Sequence, residues 1–127
     1  MKPTLSLVIA LLAGIAAGGA ALNELHAQAK PPAFTIAEVD VIDPEAFKAF
    51  AERNSQAVAA AGGHFLAVVR GRIVTSKGTP PKAVNVIAWD SLDQATGYFS
   101  SPAFKELIPL RDKGANVRLF HVEGLPK

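Results

Sequence analysis

Beyond residue 32, apolar side chains recur first with strand and then with helix spacing, and the alternation of the two periods divides the chain into elements. Ala33 to Ile42 is rich in β-branched residues, with Ala37, Val39 and Val41 on one face and Phe34, Ile36, Glu38 and Asp40 on the other. This predicts a first strand. Asp43-Pro44-Glu45 then supplies an N-cap, a proline at the first helical position and an acid suited to the helix dipole. Phe47, Phe50, Ala51, Val58 and Ala61 return at helical spacing, opposite Lys48, Glu52, Arg53 and Gln56, until Gly62-Gly63 ends the helix. His64 to Val74 predicts a second strand, with a bulge at Gly71, and Thr75 to Pro81 is a loop by composition. Lys82 to Trp89 is the third strand.

Ser91 with Gln94 forms a capping box, and Ser101-Pro102 repeats the cap-plus-proline signal, so the second helical region is broken. It resumes through Phe104, Leu107, Ile108 and Leu110, carries Pro109 as a kink and ends at Gly114. Asn116 to Glu123 is the last strand. The order β-α-β-β-α-β predicts an α+β, ferredoxin-like fold: a four-stranded antiparallel sheet, strand order 4-1-3-2, with both helices on one face.

Two helices cover only one side of such a sheet. Alternation assigns Val84, Val86 and Ala88 to the face of Ala37, Val39 and Val41, and Asn85, Ile87 and Trp89 to the mixed face of Phe34, Ile36, Glu38 and Asp40. A mixed face that exposes Phe, Ile and Trp is too apolar for water. It is expected to pack on a second copy of itself, giving a homodimer.

The segment before this domain differs in kind. Lys2 is a short basic start, an apolar run extends from Leu5 to Leu22, and Ala27-Gln28-Ala29 has the small-x-small form of a signal-peptidase site. Residues 1–29 therefore read as a signal peptide, with a mature chain starting at Lys30, a short Pro-rich leader over 30–32 and a domain over 33–124. The expected location is periplasmic or secreted. The alternative is an uncleaved anchor, the one route to a membrane association, since Gly14 and Gly18 make a small-xxx-small pair.

Composition narrows the chemistry. The hydrophobic fraction is 50%, part of it in the amino-terminal segment. No cysteine is present, which excludes disulfides, thiolate metal sites and a Cys nucleophile. Lys plus Arg exceed Asp plus Glu by only 13 to 11, and they are dispersed, so no nucleic-acid partner is expected. Phosphate-cradling glycine loops, the G-x-S-x-G elbow and H-E-x-x-H do not occur.

In order along the chain stand Val41-Ile42-Asp43-Pro44-Glu45, Gly62-Gly63-His64-Phe65-Leu66, Pro80-Pro81-Lys82, Ala95, Tyr98-Phe99-Ser100-Ser101-Pro102-Ala103-Phe104, Arg111 and Val122-Glu123-Gly124. Together they resemble the domain of unknown function (DUF) 1330 family, within the dimeric α/β-barrel superfamily. The resemblance runs from about Phe34 to Gly124 and implies a protomer whose sheet packs on its partner's sheet. The superfamily includes cofactor-independent monooxygenases, haem-degrading enzymes and isomerases, so the fold does not choose a reaction. Two departures stand out. Thr75-Ser76-Lys77-Gly78 lacks the carboxylate of the family's usual Leu-Glu-Gly-like segment, and His64 and Phe104 replace a usual Arg or Lys and a frequent Tyr.

The candidate catalytic residues are His64 and His121, either of which can act as a base near neutral pH beside a carboxylate such as Asp40. Their plainer reading is structural. Asp40, Arg70 and Asn85 are expected on the mixed face, at the dimer seam or in a polar pocket; Trp89, Tyr98 and Arg111 are further ligand-binding candidates. Tyr98 precedes the helix break, where its hydroxyl can reach a cavity between helix and sheet, and Arg111 can hold a carboxylate. Packing and helix-dipole roles explain both as well. No metal site and no cofactor are expected, since histidine without cysteine and without ligand spacing is a weak metal signal; a single-His haem site is the exception the fold admits. Three functions follow: binding of a small, partly apolar ligand; a monooxygenase- or isomerase-like enzyme acting on an aromatic or lactone-like substrate; or a structural dimer without ligand.

Overall fold

A computed structural model describes residues 30–127; the segment read as a signal peptide lies outside the described residues. The elements run β1 (Ala33–Val41), α1 (Pro44–Ala60), β2 (His64–Ala67), β3 (Ala83–Trp89), α2 (Leu92–Phe99), α3 (Pro102–Lys105), α4 (Ile108–Gly114) and β4 (Ala115–Glu123). The sheet is antiparallel with order β2-β3-β1-β4, the ferredoxin-like arrangement expected from the element order.

The caps work as the side chains dictate. Asp43 Oδ1 accepts from Ala46 N at 3.1 Å, and Ser91 Oγ accepts from Gln94 N at 3.1 Å. Gln94 returns its Oε1 to Asp90 N and gives its Nε2 to the Ala61 carbonyl, tying the start of α2 to the end of α1. Ser101 Oγ donates to the Tyr98 carbonyl and accepts from Phe104 N, so one hydroxyl closes α2 and opens α3. At the end of α1, Gly62 takes a φ of 90°, a left-handed turn that favours glycine.

The strand register corrects one assignment of faces. Thr35 lies opposite Ile87 and His121, Ala37 opposite Asn85 and Leu119, and Val39 opposite Ala83 and Val117. Residues directly opposite share a face. Asn85, Ile87 and Trp89 therefore point to the helices, while Val84, Val86 and Ala88 join Phe34, Ile36 and Glu38 on the open face. Alternation alone did not orient β3 because both of its faces are apolar; the larger Ile87 and Trp89 fill the helix side.

The second strand is also shorter than its composition predicts. Pairing with β3 slips between Phe65 and Ala67, a turn closes from Val68 to Gly71, and Arg72 to Pro80 is exposed. β3 itself runs on to Ala83, past the Val86 that faces Ala67, so it is the turn from Val68 to Gly71 that takes the chain off the ladder.

On the helix side the core joins Val39, Phe47, Phe50, Val58, Ile87, Trp89, Tyr98, Phe104 and Leu107. On the other side, Phe34, Ile36, Val84 and Val86 are only half-buried, while Phe120 and Val122 are 39% and 45% exposed. The polar members of that side pair locally, Lys82 with Asp40 at 3.1 Å and Arg118 with Glu38.

Gly114 is where α4 meets α1. Its carbonyl accepts from Ile42 N and Asp43 N, and a Cβ placed on it would sit 2.5 Å from Phe47 N. Backbone contact, not a left-handed turn, is what requires this glycine. Gly114→Ala is expected to lower stability by roughly 1–3 kcal/mol through displaced backbone. Gly97→Ala, whose Cβ meets nothing within 4 Å in the middle of α2, should raise stability by about 0.5–1 kcal/mol. Urea midpoints of the two variants read both effects.

Candidate functional site

Helix α1 crosses the sheet beside the short β2, and the missing continuation of that strand leaves a cleft of about 520 Å³. Its apolar wall comes from Phe47, Phe50, Ala51, Phe65, Val68 and Val69. Lys48, Glu52 and Arg70 stand among its lining residues, together with Asn54 and Asn85. A second cavity, between the sheet, α1 and Phe99, Phe104 and Arg111, offers only about 20 Å³, room for roughly one water. Phe47, Phe50, Asn54 and Asn85 line both, so the two spaces meet at these four side chains.

A polar chain runs behind this junction. Trp89 Nε1 donates to Thr35 Oγ1 at 2.9 Å, and Thr35 Oγ1 lies 2.9 Å from His121 Nδ1. Thr35 is fully buried, so its own proton needs an acceptor, and His121 Nδ1 is the one in place. With the Thr35 hydroxyl as donor, His121 is neutral and carries its proton on Nε2. Burial lowers the His121 pKa, in the same sense. Trp89 stacks on Tyr98 with ring centroids 5.6 Å apart, and the Tyr98 hydroxyl donates to Asn54 Oδ1 at 2.7 Å. Burial pushes the Tyr98 pKa up to about 12, so this hydroxyl stays a donor.

The candidate residues are thus distributed unevenly. Arg111 lines the inner cavity, tied to Asp112 at 2.9 Å and set 5.7 Å above the Phe104 ring. Arg70 lines the outer cleft, in the loop after β2. Trp89 and Tyr98 lie in the core and reach the junction only through Asn54. His121 packs on Phe99 at 5.0 Å and lines neither space.

His64 is exposed at the start of the edge strand, opposite Ala88 on the open face. Asp40 lies on that open face as well, bonded to Lys82. The expected grouping of Asp40, Arg70 and Asn85 on one sheet face does not form, because Asn85 points to the helices and Arg70 has left the strand. Nor does Asp40 stand beside His121, whose side chain is on the opposite face.

Sequence reasoning missed Thr35 and Asn54, and named Asn85 but placed it on the other face of the sheet. A signal existed for Asn54, which sits four residues after Phe50 and four before Val58 and so belongs to the apolar stripe of α1. Among the described residues, no group of three or more His, Asp and Glu can hold a metal ion, and no helix is long and apolar enough to cross a membrane.

The model of a protein family, the domain of unknown function DUF1330, matches residues 32–125. The chain belongs to the DUF1330 family. Among solved structures, this DUF1330 domain is similar to the RPA0582 protein of unknown function from Rhodopseudomonas palustris, at 15% identity and a TM-score of 0.61, covering 83% of this chain and 92% of that one. It is also similar to SnoaB, a cofactor-independent oxygenase from Streptomyces nogalater, at 12% identity and a TM-score of 0.53, over 76% and 96% of the two chains. A dimeric ferredoxin-like protein of unknown function from Thermobifida fusca matches at 11% identity and a TM-score of 0.51, over 75% and 92%. At these identities the likeness is one of fold. No curated protein matches the sequence.

The neutral state of His121 couples the fold to pH. Unfolded histidine titrates near 6.5, and the folded value is lower. Below 6.5 the unfolded chain therefore binds more protons, and stability falls as pH drops from there toward the folded pKa; above about pH 7 the residue contributes no slope. In His121→Asn, whose Oδ1 can still accept from Thr35, the loss of melting temperature between pH 7 and pH 5 should be smaller than in the parent protein.

Proposed function

We propose that this DUF1330 domain is exported, pairs through its open sheet face with a second copy, and binds a small, partly apolar molecule in the cleft beside α1. The observation that carries the ligand reading is the cleft itself, an apolar wall of Phe47, Phe50, Phe65 and Val69 that ends at two carboxamides. A space of about 520 Å³ of this make-up has the size and polarity of small-molecule sites. Pairing is supported by the apolar open face and by the dimeric Thermobifida fusca neighbour. Export is supported by the amino-terminal pattern alone.

An enzymatic role is the second reading, favoured by the fold shared with the oxygenase SnoaB. It asks for a titratable base in a concave site. The titratable groups lining the two spaces are Lys48, Glu52, Arg70 and Arg111, and neither His64 nor His121 is among them. Glu52 is the one carboxylate in this set and neither candidate histidine joins it, so binding is the reading the geometry favours.

Light scattering should give twice the mass of the mature chain, and Ile36→Lys together with Phe120→Lys should give a folded monomer; a parent protein that is already monomeric at micromolar concentration refutes the pairing. The intact mass of the exported protein reads whether it starts at Lys30. Equilibrium dialysis with 2-methylnaphthalene should show saturable binding at one site per chain, lost in Ala51→Phe, which fills the cleft. No saturable binding of any such apolar probe would leave a structural dimer as the surviving account.

A further inference from the structure

Two carboxamides on different elements, Asn54 of α1 and Asn85 of β3, stand where the cleft meets the inner cavity. Asn54 is only 7% exposed and uses its Oδ1 for the Tyr98 hydroxyl, while its Nδ2 makes no hydrogen bond among the described residues. Among the described residues no sealed side-chain nitrogen or oxygen lacks a partner, so this Nδ2 has open space beside it, in a residue that lines both the cleft and the inner cavity. Asn85 makes no side-chain hydrogen bond at all among the described residues. It occupies a helix-facing strand position, half-buried, with its carboxamide open to the space it lines.

The third polar group is Arg111. Its Nε and Nη2 meet Asp112 Oδ1, both at 2.9 Å, which leaves other guanidinium N–H groups uncommitted where the residue lines the inner cavity. No carboxylate lines that cavity, and the remaining hydroxyl there, Thr35, is engaged by Trp89 and His121. The inner end of the site is therefore rich in hydrogen-bond donors, with the Arg111 charge balanced by Asp112.

We infer that the cleft takes a small aromatic or aliphatic carboxylate. Its apolar body lies along Phe50 and Val69, and its carboxylate, which only accepts hydrogen bonds, meets Asn54, Asn85 and Arg111 at the junction. The inner cavity holds roughly one water, so the carboxylate stops at its mouth and the body remains in the outer cleft. This inference rests on the ligand-binding reading above and adds the chemical class of the ligand.

The test compares 2-naphthoate with 2-methylnaphthalene, which share a ring system and differ in the polar end, by equilibrium dialysis against the intact mature protein at pH 7.5. The carboxylate should bind at least about tenfold more tightly, the scale of one or two hydrogen bonds to a charged group. Asn85→Leu and Arg111→Met should each collapse that ratio toward one, with the fold checked by circular dichroism. Asn85→Leu removes no hydrogen bond of the protein, so it tests the contact without dismantling the core. Equal affinity for the two probes overturns the carboxylate inference and leaves the apolar cleft standing. A preference that persists in both variants also overturns it, since the carboxylate is then held elsewhere, for example by Arg70 and Arg72. Binding of neither probe overturns both readings.

Discussion

The Thr35 hydroxyl joins three strands at one atom. It sits on β1, accepts the indole N–H of Trp89 from β3 and meets His121 Nδ1 on β4, each at 2.9 Å. Because Thr35 and Trp89 are both buried, neither can turn to water instead, so the indole is fixed in place. Trp89, held this way, presents its face to Tyr98, and Tyr98 in turn holds Asn54 at the mouth of the inner cavity. The orientation of a side chain on α1 is thereby set by a hydroxyl in the middle of the sheet. Phe99 and Phe104 close the arrangement, with ring centroids 4.7 Å apart.

Space for a ligand arises from an interrupted strand. Had β2 run to Val74, a longer edge would have stood beside α1. The turn from Val68 to Gly71 takes the chain off β3, and the cleft is lined by that turn and by α1. The same interruption leaves Ile73 and Val74 exposed, at 38% and 73%, in a loop that carries Arg70, Arg72 and Lys77 and no acid. Polar specificity on the inner side and apolar area on the outer side thus come from different elements.

The sheet's two faces solve different problems. The helix-facing side builds a continuous core around Val58, Ile87 and Trp89. The other combines Phe34, Ile36, Val84 and Val86 with surface ion pairs at Lys82 and Arg118. Exposed pairs of this kind contribute little to stability, so their presence on this face speaks to solubility and register more than to strength.

Element order, the caps at Asp43, Ser91 and Ser101, and the break in the second helical region were legible in the sequence because each depends on residues within a few positions of one another. Strand order followed from the same elements, since few topologies accommodate β-α-β-β-α-β. The length of β2 was not legible, because residues 68–74 keep a strand-like composition and only the pairing with β3 shows that the ladder stops at Ala67. The face of β3 was not legible either: two apolar faces leave alternation silent, and the register opposite Thr35 chose between them. The candidate site divides the same way. Arg70 and Arg111 were visible as charges and Asn85 as a polar residue on an apolar strand, though its face was set only by the register; Asn54 and Thr35 look like ordinary polar residues until the helix stripe and the register place them inside. What the sequence by itself determined is the local architecture of caps, breaks and apolar periods. Which polar groups meet at the cleft was decided only by tertiary packing, because hydrogen bonds between residues 44 to 86 positions apart leave no trace in local spacing.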